Sequence, residues 1–367
     1  MKLKNRDIKK PLQGMTIAWI ADECGVSVEL LKKLAENTDV MYNPTRKEPK
    51  KGGCGFREID PPKKQYKRLM RKIAKALSFN IKHHPAAHGG IPGRSSFTSA
   101  RAHCGARFVA TRDIHNCYPS IKTQQLLVAF VKLGASLEFA RFLSSVVTVH
   151  NRIPQGGPCS SLALNLYLLR MDDHFYERAK NKGFNYGRLA DDFVISSNAR
   201  ENVMALANEL DHSIIQRNLE INKNKLIKKG FLGGDKLKEI HSLIINSPRG
   251  LKPKAAHVKK GLKTAELYAR CCRCAQIEDI PYLADLRQQV TGWMYYFRQA
   301  DFSPASHMKQ ILDRADDKVL RMLKYKGLKP HKNKWWLVSD TRNEPERLLR
   351  QWDLKKCLCL INGKKSA

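Results

Sequence analysis

The chain has 367 residues, which is enough to bury a substantial core and to form two or three subdomains. Its 67 Lys and Arg residues against 34 Asp and Glu residues give a formal net charge of +33, which favours a polyanionic partner. No hydrophobic run reaches the length of a membrane-spanning helix and no signal peptide is evident, so we expect a cytoplasmic protein without a membrane partner.

The first elements along the chain are predicted to be short helices and a basic strand. Apolar residues recur at helical spacing over residues 16–34, with a break at Cys24 and Gly25. The stretch 20–27 has two interpretations, a structural helix pair or part of a DNA-binding helix-turn-helix. Residues 56–59 form a short β-prone run inside a segment rich in Lys, Gly and Pro, for which a solvated basic loop is the alternative.

A basic amphipathic helix is predicted over residues 66–77. Its apolar side chains fall on one face and its cationic side chains on the other, where they suit contacts with a phosphate backbone. A glycine-rich segment follows at 88–96, in which Arg94 supplies a cation. The candidate nucleic-acid contacts on the helix are Lys67, Arg68 and Arg71.

Three carboxylates form the most informative pattern in the sequence. Asp191 and Asp192 precede the β-prone run 193–195, so we expect them at the tip of a hairpin. Adjacent acids repel each other and are costly to desolvate unless a cation holds them. Asp113 lies in a second strand-like run at 108–114. Three carboxylates from two strand ends suit a two-metal phosphoryl-transfer centre, and an ordinary acidic turn is the alternative.

Helices are predicted on both sides of the hairpin and throughout the C-terminal part. Stretches near 123–148 and 200–218 are expected to back the sheet that carries the acids, and the pattern becomes helical and basic from residue 254. In that part Trp293 and Arg298 are candidate contacts with a nucleic-acid duplex, with core packing as the alternative for the aromatic residue. Residues 331–367 form a basic tail without clustered His or paired Cys-x-x-Cys ligands, so we expect no DNA-cutting module there.

Five segments, taken in chain order, resemble the motifs of one enzyme family. They are residues 88–96 (HGGIPGRSS), 113–121 (DIHNCYPSI), 153–161 (IPQGGPCSS), 189–192 (LADD) and 219–225 (LEINKNK). Together they resemble bacterial reverse transcriptases of the retron and group II intron lineage, whose Tyr-x-Asp-Asp turn corresponds to LADD. The resemblance covers the chain from about residue 20 to about residue 325.

This resemblance implies an α+β fold of the right-hand polymerase type, with a palm whose antiparallel sheet is backed by helices. The implied domains are N-terminal helices and fingers at 1–104, a palm with inserted fingers elements at 105–250, a helical thumb at 251–330 and a basic C-terminal tail at 331–367. The implied activity is RNA-directed DNA polymerase, a nucleotidyltransferase that adds dNTPs to a primer.

The resemblance also implies roles for single residues. Asp113, Asp191 and Asp192, together with Ile114, would hold two Mg²⁺ ions, for which Mn²⁺ is a substitute. Lys225 takes the position associated with protonation of the leaving pyrophosphate. Tyr118 corresponds to the aromatic residue that rejects a ribose 2′-hydroxyl. The full set of implied nucleotide contacts is Arg57, Arg94, Tyr118, Gln155 and Gly156.

Two departures from the family pattern bear on function. Leu189 stands where the family usually has a Tyr against the primer terminus, and we take it as a candidate nucleic-acid contact. Residues 240–246 (IHSLIIN) stand where retron enzymes usually carry Val-Thr-Gly. The chain is therefore retron-like, and a stand-alone reverse transcriptase of the phage-defence type fits it as well.

The partners implied are an RNA template, a structured non-coding RNA, dNTPs and the DNA product, with a role in antiviral defence. A second copy of the chain or an accessory effector protein is a further candidate partner. Two other interpretations stay open at this point. One is a non-catalytic RNA-binding or splicing cofactor on the same fold, and the other is a template-independent or protein-primed DNA polymerase.

Overall fold

The computed structural model describes residues 11–50, 55–234, 236–247, 250–300 and 302–325. The chain divides into two compact units, Met1–Gly250 and Leu251–Ala367. The predicted tail at 331–367 lies outside the described residues. Across the described ranges, no helix has both the length and the apolar character needed to cross a membrane.

A four-stranded antiparallel sheet carries the acidic residues of the first unit. Its strands are β3 (Phe108–Asp113), β4 (Asn185–Leu189), β5 (Asp192–Ser197) and β6 (Phe231–Leu232), in the spatial order β4-β5-β3-β6. Three consecutive residues of β5, Phe193 to Ile195, are buried in this sheet, against which the helices of the first unit pack. The predicted strands at 108–114 and 193–195 are therefore confirmed.

Ten helices are described in the first unit. They are α1 (Ile17–Cys24), α2 (Val28–Glu36), α3 (Lys64–Asn80), α4 (Ser96–Arg101), α5 (Cys117–Ser120), α6 (Thr123–Lys132), α7 (Leu137–Val146), α8 (Ser160–Asn181), α9 (Arg200–Ile215) and α10 (Lys223–Lys229). The break predicted between the first two is real, because Gly25 ends α1 in the left-handed conformation at φ 63° and the Ser27 side chain caps α2. Helices α8 and α9 pack on the sheet.

Helix α3 is amphipathic as predicted. Tyr66, Met70, Ile73 and Leu77 recur at spacings of three and four residues and are all at most 3% exposed. Burial of four large side chains on one stripe stabilises a helix whose opposite face is strongly basic. The candidate contacts Arg68 and Arg71 are exposed on that opposite face, and Lys67 is half-buried at its edge.

Two further hairpins complete the first unit. Strands β1 (Arg46–Pro49) and β2 (Phe56–Ile59) pair antiparallel, and their side chains are almost all exposed. Strands β7 (Glu239–Ile240) and β8 (Leu243–Ser247) pair antiparallel through a two-residue turn. The predicted strand at 56–59 is confirmed. A last strand, β9 (Gly250–Pro253), lies at the border between the two units.

The second unit is helical, with α11 (Ala255–Cys274), α12 (Ile280–Arg298) and α13 (Phe302–Tyr325) packed around their own core. Phe297 is fully buried, and a Cβ built on Gly261 would lie 2.6 Å from its ring, so the two helices can approach closely only at a glycine. The Arg287 guanidinium donates two hydrogen bonds to the carboxylate of Asp316, which also accepts from the Tyr268 hydroxyl. The helical pattern predicted from residue 254 is confirmed over the described part.

Candidate active site

The Asp191-Asp192 hairpin has the tight turn that the sequence predicts. Leu189 pairs with Asp192 across the hairpin, so Ala190 and Asp191 are its two turn residues. Ala190 adopts the left-handed conformation at φ 57°. A Cβ built on Gly89 would lie 2.4 Å from the Ala190 nitrogen, so only glycine lets that segment pass so close to the turn.

The neighbouring strand brings the third carboxylate to the same place. Asp113 is the last residue of β3 and stands directly opposite Asp192 in the antiparallel register. The Ile114 amide donates a hydrogen bond to the Asp191 carbonyl at 3.3 Å, which ties the two strand ends together. The structure therefore gathers Asp113, Asp191 and Asp192 at one edge of the sheet, with the backbone of Ile114 beside them.

The charges at this edge interact strongly. Burial, and next the charge of Asp113, raise the pKa of Asp191 to about 6, so ionisation of this carboxyl is opposed by its surroundings. Lys225 places its Nζ 2.5 Å from Oδ1 of Asp113. Burial works against the charged form of this lysine, but the carboxylates of Asp192, Asp113 and Asp191 outweigh it and raise the pKa of Lys225. The predicted lysine is therefore the counter-ion of the acidic cluster.

The acids fit a divalent cation by their chemistry rather than by a preformed cage. All three donors are carboxylates, which Mg²⁺ prefers, and burial beside Asp113 opposes the ionisation of Asp191, a cost that an added positive charge would offset. Both Asp113 oxygens already accept hydrogen bonds, from Lys225 and from the Asn222 amide at 2.9 Å. Among the described residues, no three His, Cys, Asp or Glu side chains are arranged to hold a metal ion. A cation bound at Asp113 would therefore share this carboxylate with Lys225 and Asn222 or displace one of them.

Replacing Asp191 with Asn is expected to stabilise the chain near pH 8 in EDTA. The folded state disfavours the ionised Asp191 carboxylate. Ionisation therefore costs the folded chain no stability below the ordinary pKa of 3.8, and the loss of stability grows as the pH rises and is complete once the pH has passed about 6. Asn carries no such cost, and the gain should be on the order of 1–2 kcal/mol after allowance for solvent screening. Thermal unfolding at pH 8 and pH 4 measures it, with Asp22→Asn on the exposed surface as the control. A lower melting temperature for Asp191→Asn at both pH values would contradict this account of the cluster.

A buried ion pair that the sequence does not reveal lies behind the turn. Arg188 is fully buried, and its Nε and Nη2 donate to the carboxylate of Asp172 on α8 at 2.7–3.0 Å. Its Nη1 donates to the Ala190 carbonyl and to the side-chain oxygen of Asn165, both at 2.9 Å. The Asn165 amide in turn donates to the Gly89 carbonyl at 2.9 Å. One guanidinium thus fixes the turn backbone to the helix beneath it.

The motif at 153–161 lies against the β1–β2 hairpin. The Gln155 carbonyl accepts a hydrogen bond from the Asp60 amide at 3.2 Å. Gly156 has φ 92°, and a Cβ there would lie 3.3 Å from Ile59. Arg57, one of the implied nucleotide contacts, is exposed on β2 close in sequence to these residues. The two segments that carry implied nucleotide contacts therefore touch each other through the end of β2.

Tyr118 and Arg94 have different surroundings. Tyr118 lies on the short helix α5, five residues after Asp113, and burial raises the pKa of its phenol. Arg94 is half-buried, and its Nη1 donates to the carbonyls of His84 and Ala87 at 2.5 and 2.6 Å. Those bonds hold the glycine-rich loop in place, so the structure shows a loop-stabilising contact for Arg94, and its contact with a nucleotide stays a prediction.

The candidate nucleic-acid residues of the second unit lie on α12. Trp293 is half-buried, with its ring stacked on Phe297 at a centroid distance of 5.6 Å, while Arg298 is exposed. The Lys260 ammonium lies 6.0 Å from the centroid of the Trp293 ring. Core packing, the alternative interpretation for this tryptophan, accounts for its stacked face. Its contact with nucleic acid remains a prediction, as does that of Leu189 at the end of β4.

Comparison with known proteins yields a consistent set of relatives. Residues 49–231 match the family described as reverse transcriptase (RNA-dependent DNA polymerase). The chain is 34% identical over 175 residues to the Retron Se72 reverse transcriptase of Salmonella heidelberg, a match covering 46% of each protein. It is 30% identical over 230 residues to the Retron Mx65 reverse transcriptase of Myxococcus xanthus, covering 56% of this chain and 53% of that one. The chain therefore spans about half the length of these curated relatives.

Solved structures that align with this chain include two Candida telomerases. The telomerase of Candida albicans, in complex with a TWJ fragment of telomeric RNA, aligns with a TM-score of 0.43 and 11% identity over 82% of this chain and 65% of that one. The telomerase of Candida tropicalis aligns with a TM-score of 0.48 and 10% identity over 85% and 61%. Scores of this size carry no inference about function.

The family match agrees with what the residues themselves show. It spans β2, the motif at 153–161 and the acidic hairpin, and the sheet that carries the acids is antiparallel and backed by helices. The predicted α+β class with a right-hand polymerase fold is therefore confirmed. With retron enzymes among its curated relatives, the region 49–231 of this chain belongs to the reverse transcriptase family.

Proposed function

We propose that this chain is an RNA-directed DNA polymerase that extends a primer with dNTPs on an RNA template. The observation that carries the proposal is the convergence of Asp113, Asp191 and Asp192 at one sheet edge, with Lys225 as their counter-ion. A cluster of carboxylates inside a chain of net charge +33 is a cation site within a surface that attracts polyanions. The partners follow as RNA template, dNTPs and DNA product.

Each residue then has a chemical task. The three acids and the Ile114 carbonyl would hold two Mg²⁺ ions, which lower the pKa of the attacking hydroxyl and stabilise the charge that develops on the phosphates. Lys225 lies within reach of the acids and would give a proton to the departing pyrophosphate. Arg57, Arg94, Gln155 and Gly156 would bind the incoming nucleotide and its template partner. The basic face of α3, with Leu189, Trp293 and Arg298, would contact the nucleic-acid strands.

The division of labour among domains is part of the same proposal. Residues 1–104 would act as fingers, 105–250 as the palm and 251–330 as the thumb. The exposed β1–β2 hairpin with Arg57 supports the first assignment, and the acidic sheet edge supports the second. The independent helical core of the second unit, in which α11, α12 and α13 pack together, supports the third.

Primer extension tests the proposed activity. Purified chain is incubated with an RNA template, an annealed DNA primer, Mg²⁺ and labelled dNTPs, and each component is omitted in turn. Incorporation should require the template and the divalent cation. Incorporation without a template would favour untemplated synthesis, and RNA binding without any incorporation would favour a non-catalytic cofactor on the same fold.

Tyr118 is expected to select the sugar of the incoming nucleotide. Its ring would fill the space beside the 2′ position of the incoming sugar. Tyr118→Ala should therefore raise the use of rNTPs relative to dNTPs by about ten-fold or more, because losing such a steric contact changes discrimination by about 1–3 kcal/mol. Competition between matched rNTPs and dNTPs in primer extension measures the ratio, and Tyr118→Phe serves as the control that keeps the ring. Unchanged discrimination in a folded Tyr118→Ala chain would remove this role.

The proposal extends to antiviral defence with a dedicated structured non-coding RNA, supported by kinship with the retron enzymes. Sequencing the RNA that copurifies from cells carrying the native locus should give one enriched, structured species encoded nearby. Phage protection should be lost in the Asp191→Asn/Asp192→Asn double variant. Equal plaque counts with and without these substitutions, over a broad phage panel, would remove the defence role and leave the polymerase proposal standing.

A further inference from the structure

His241 occupies an unusual place at the tip of the β7–β8 hairpin. Ile240 pairs with Leu243, so His241 and Ser242 are the two turn residues, and both adopt positive φ, 49° and 67°. Turns of this geometry favour Asn-Gly, because most side chains avoid the left-handed region. Where non-glycine residues adopt such a conformation, the surrounding structure has to hold them, and such positions cluster at functional sites.

The His241 ring is held from two sides. Its side chain is only 2% exposed. Its Nδ1 lies 3.2 Å from Oδ2 of Asp192, and its Nε2 lies 3.1 Å from the hydroxyl of Ser99 on α4. Because an ionised carboxylate can only accept, Nδ1 is the donor to Asp192, and Nε2 shares the second hydrogen bond with the Ser99 hydroxyl. Both hydrogen-bonding groups of the ring are therefore used.

The anchor behind the ring is buried. Ser99 is fully buried, and its helix α4 packs against β8 of the same hairpin. His103, four residues further on, is fully buried, and its Nδ1 shares a hydrogen bond with the Ser196 hydroxyl of β5 at 2.8 Å. Ser99 and the hairpin thus hold the His241 ring beside Asp192.

We infer that His241 is a positioning residue for the cation site, which sets the orientation of the Asp192 carboxylate through one of its two oxygens. This inference rests on the proposed function in taking Asp192 as a cation ligand. The contact engages Oδ2, and within the described ranges no hydrogen bond reaches Oδ1, which stays available to a cation. A histidine that donates to a ligating carboxylate fixes the rotamer of that carboxylate before the cation arrives. Cation binding then costs less side-chain conformational entropy.

Direct cation binding is the test. Mn²⁺ is titrated into the full chain without nucleic acid, and free Mn²⁺ is followed by electron paramagnetic resonance. Removal of a residue that orients a ligand typically weakens metal binding by about 10–100-fold, and this is the expected effect of His241→Ala. His241→Asn keeps a donor near the position of Nδ1 and should retain affinity within a few-fold. His212→Ala, on the exposed face of α9, is the matched control and should bind like the wild type.

Primer extension gives a second readout. In His241→Ala the Mg²⁺ concentration for half-maximal incorporation should rise by a similar factor, and saturating Mg²⁺ should restore most of kcat. A loss of kcat that no concentration of Mg²⁺ repairs, or equal losses of Mn²⁺ affinity in the Ala and Asn variants, would show that the ring only fills space and would overturn the inference.

Two further outcomes distinguish a failure of this inference from a failure of folding and from a failure of the proposed function. If His241→Ala does not fold, Ser99→Ala takes its place, because it removes only the hydroxyl that anchors Nε2, and it should weaken Mn²⁺ binding by a few-fold. Unchanged affinity in that variant would overturn the inference. A chain that binds Mn²⁺ in a His241-dependent way but incorporates no dNTP would end the polymerase proposal and uphold the positioning role.

Discussion

Asp113→Asn should reduce nucleotide incorporation by about a thousand-fold or more, because a bound divalent cation contributes several kcal/mol of charge stabilisation in phosphoryl transfer. The substitution keeps the shape of the side chain but removes the charge that pairs with Lys225 and stands opposite Asp192. Incorporation of a single dNTP, measured under saturating primer-template, gives the rate. Folding and RNA affinity should change little.

A matched control separates this effect from general loss of charge. Asp173→Asn removes an exposed carboxylate on α8, in the same unit but away from the sheet edge, and should leave the rate within a few-fold of the wild type. Near wild-type incorporation by Asp113→Asn would refute the assignment of the acidic cluster as the catalytic centre, whatever the control does.

Affinity for RNA should fall steeply with salt, by about 10³–10⁵ between 50 and 200 mM if six to ten phosphates are contacted. The net charge of +33 and the basic face of α3 make phosphate contacts the main source of binding energy. Neutralising Lys67, Arg68 and Arg71 to Gln should lower the slope of log affinity against log salt by about two to three, since each contact contributes 0.7–0.9. Fluorescence anisotropy with a labelled mixed-sequence RNA measures both quantities.

The control for this prediction is a second triple neutralisation with the same change in charge. Arg178, Lys180 and Lys182 are exposed at the C-terminal end of α8, outside the proposed contact face. Their replacement by Gln should leave the slope nearly unchanged. A flat salt dependence of the wild type, or equal slope changes in both triple variants, would show that the α3 face makes no specific contribution.

Local patterns explain which parts of the fold can be predicted from sequence. The acidic hairpin is recognisable because two turn residues followed by a β-prone run leave few other conformations. Helix α3 is recognisable because its buried side chains recur at spacings of three and four. These signals depend on neighbours in the chain, and the structure places both elements where the pattern puts them.

Contacts between distant segments explain what could not be predicted. Asp172 lies on the buried side of α8, and nothing near it in sequence indicates that Arg188 is its partner. His241 falls in a segment that departs from the family pattern, and its contact with Asp192 arises only once β7 and β8 dock beside β5. The sequence predicts that Arg94 supplies a cation, but it does not indicate the backbone carbonyls of His84 and Ala87 that bind this cation, because only the folded backbone brings them together.

Sequencing of the extended primers tests the central claim most directly. The chain is given one DNA primer on two RNA templates that differ in sequence downstream of the primer, with Mg²⁺ and all four dNTPs. The account predicts extensions that are DNA and complementary to the template supplied in each reaction. Extensions that are the same on both templates, or primers that remain unextended while RNA stays bound, would contradict it.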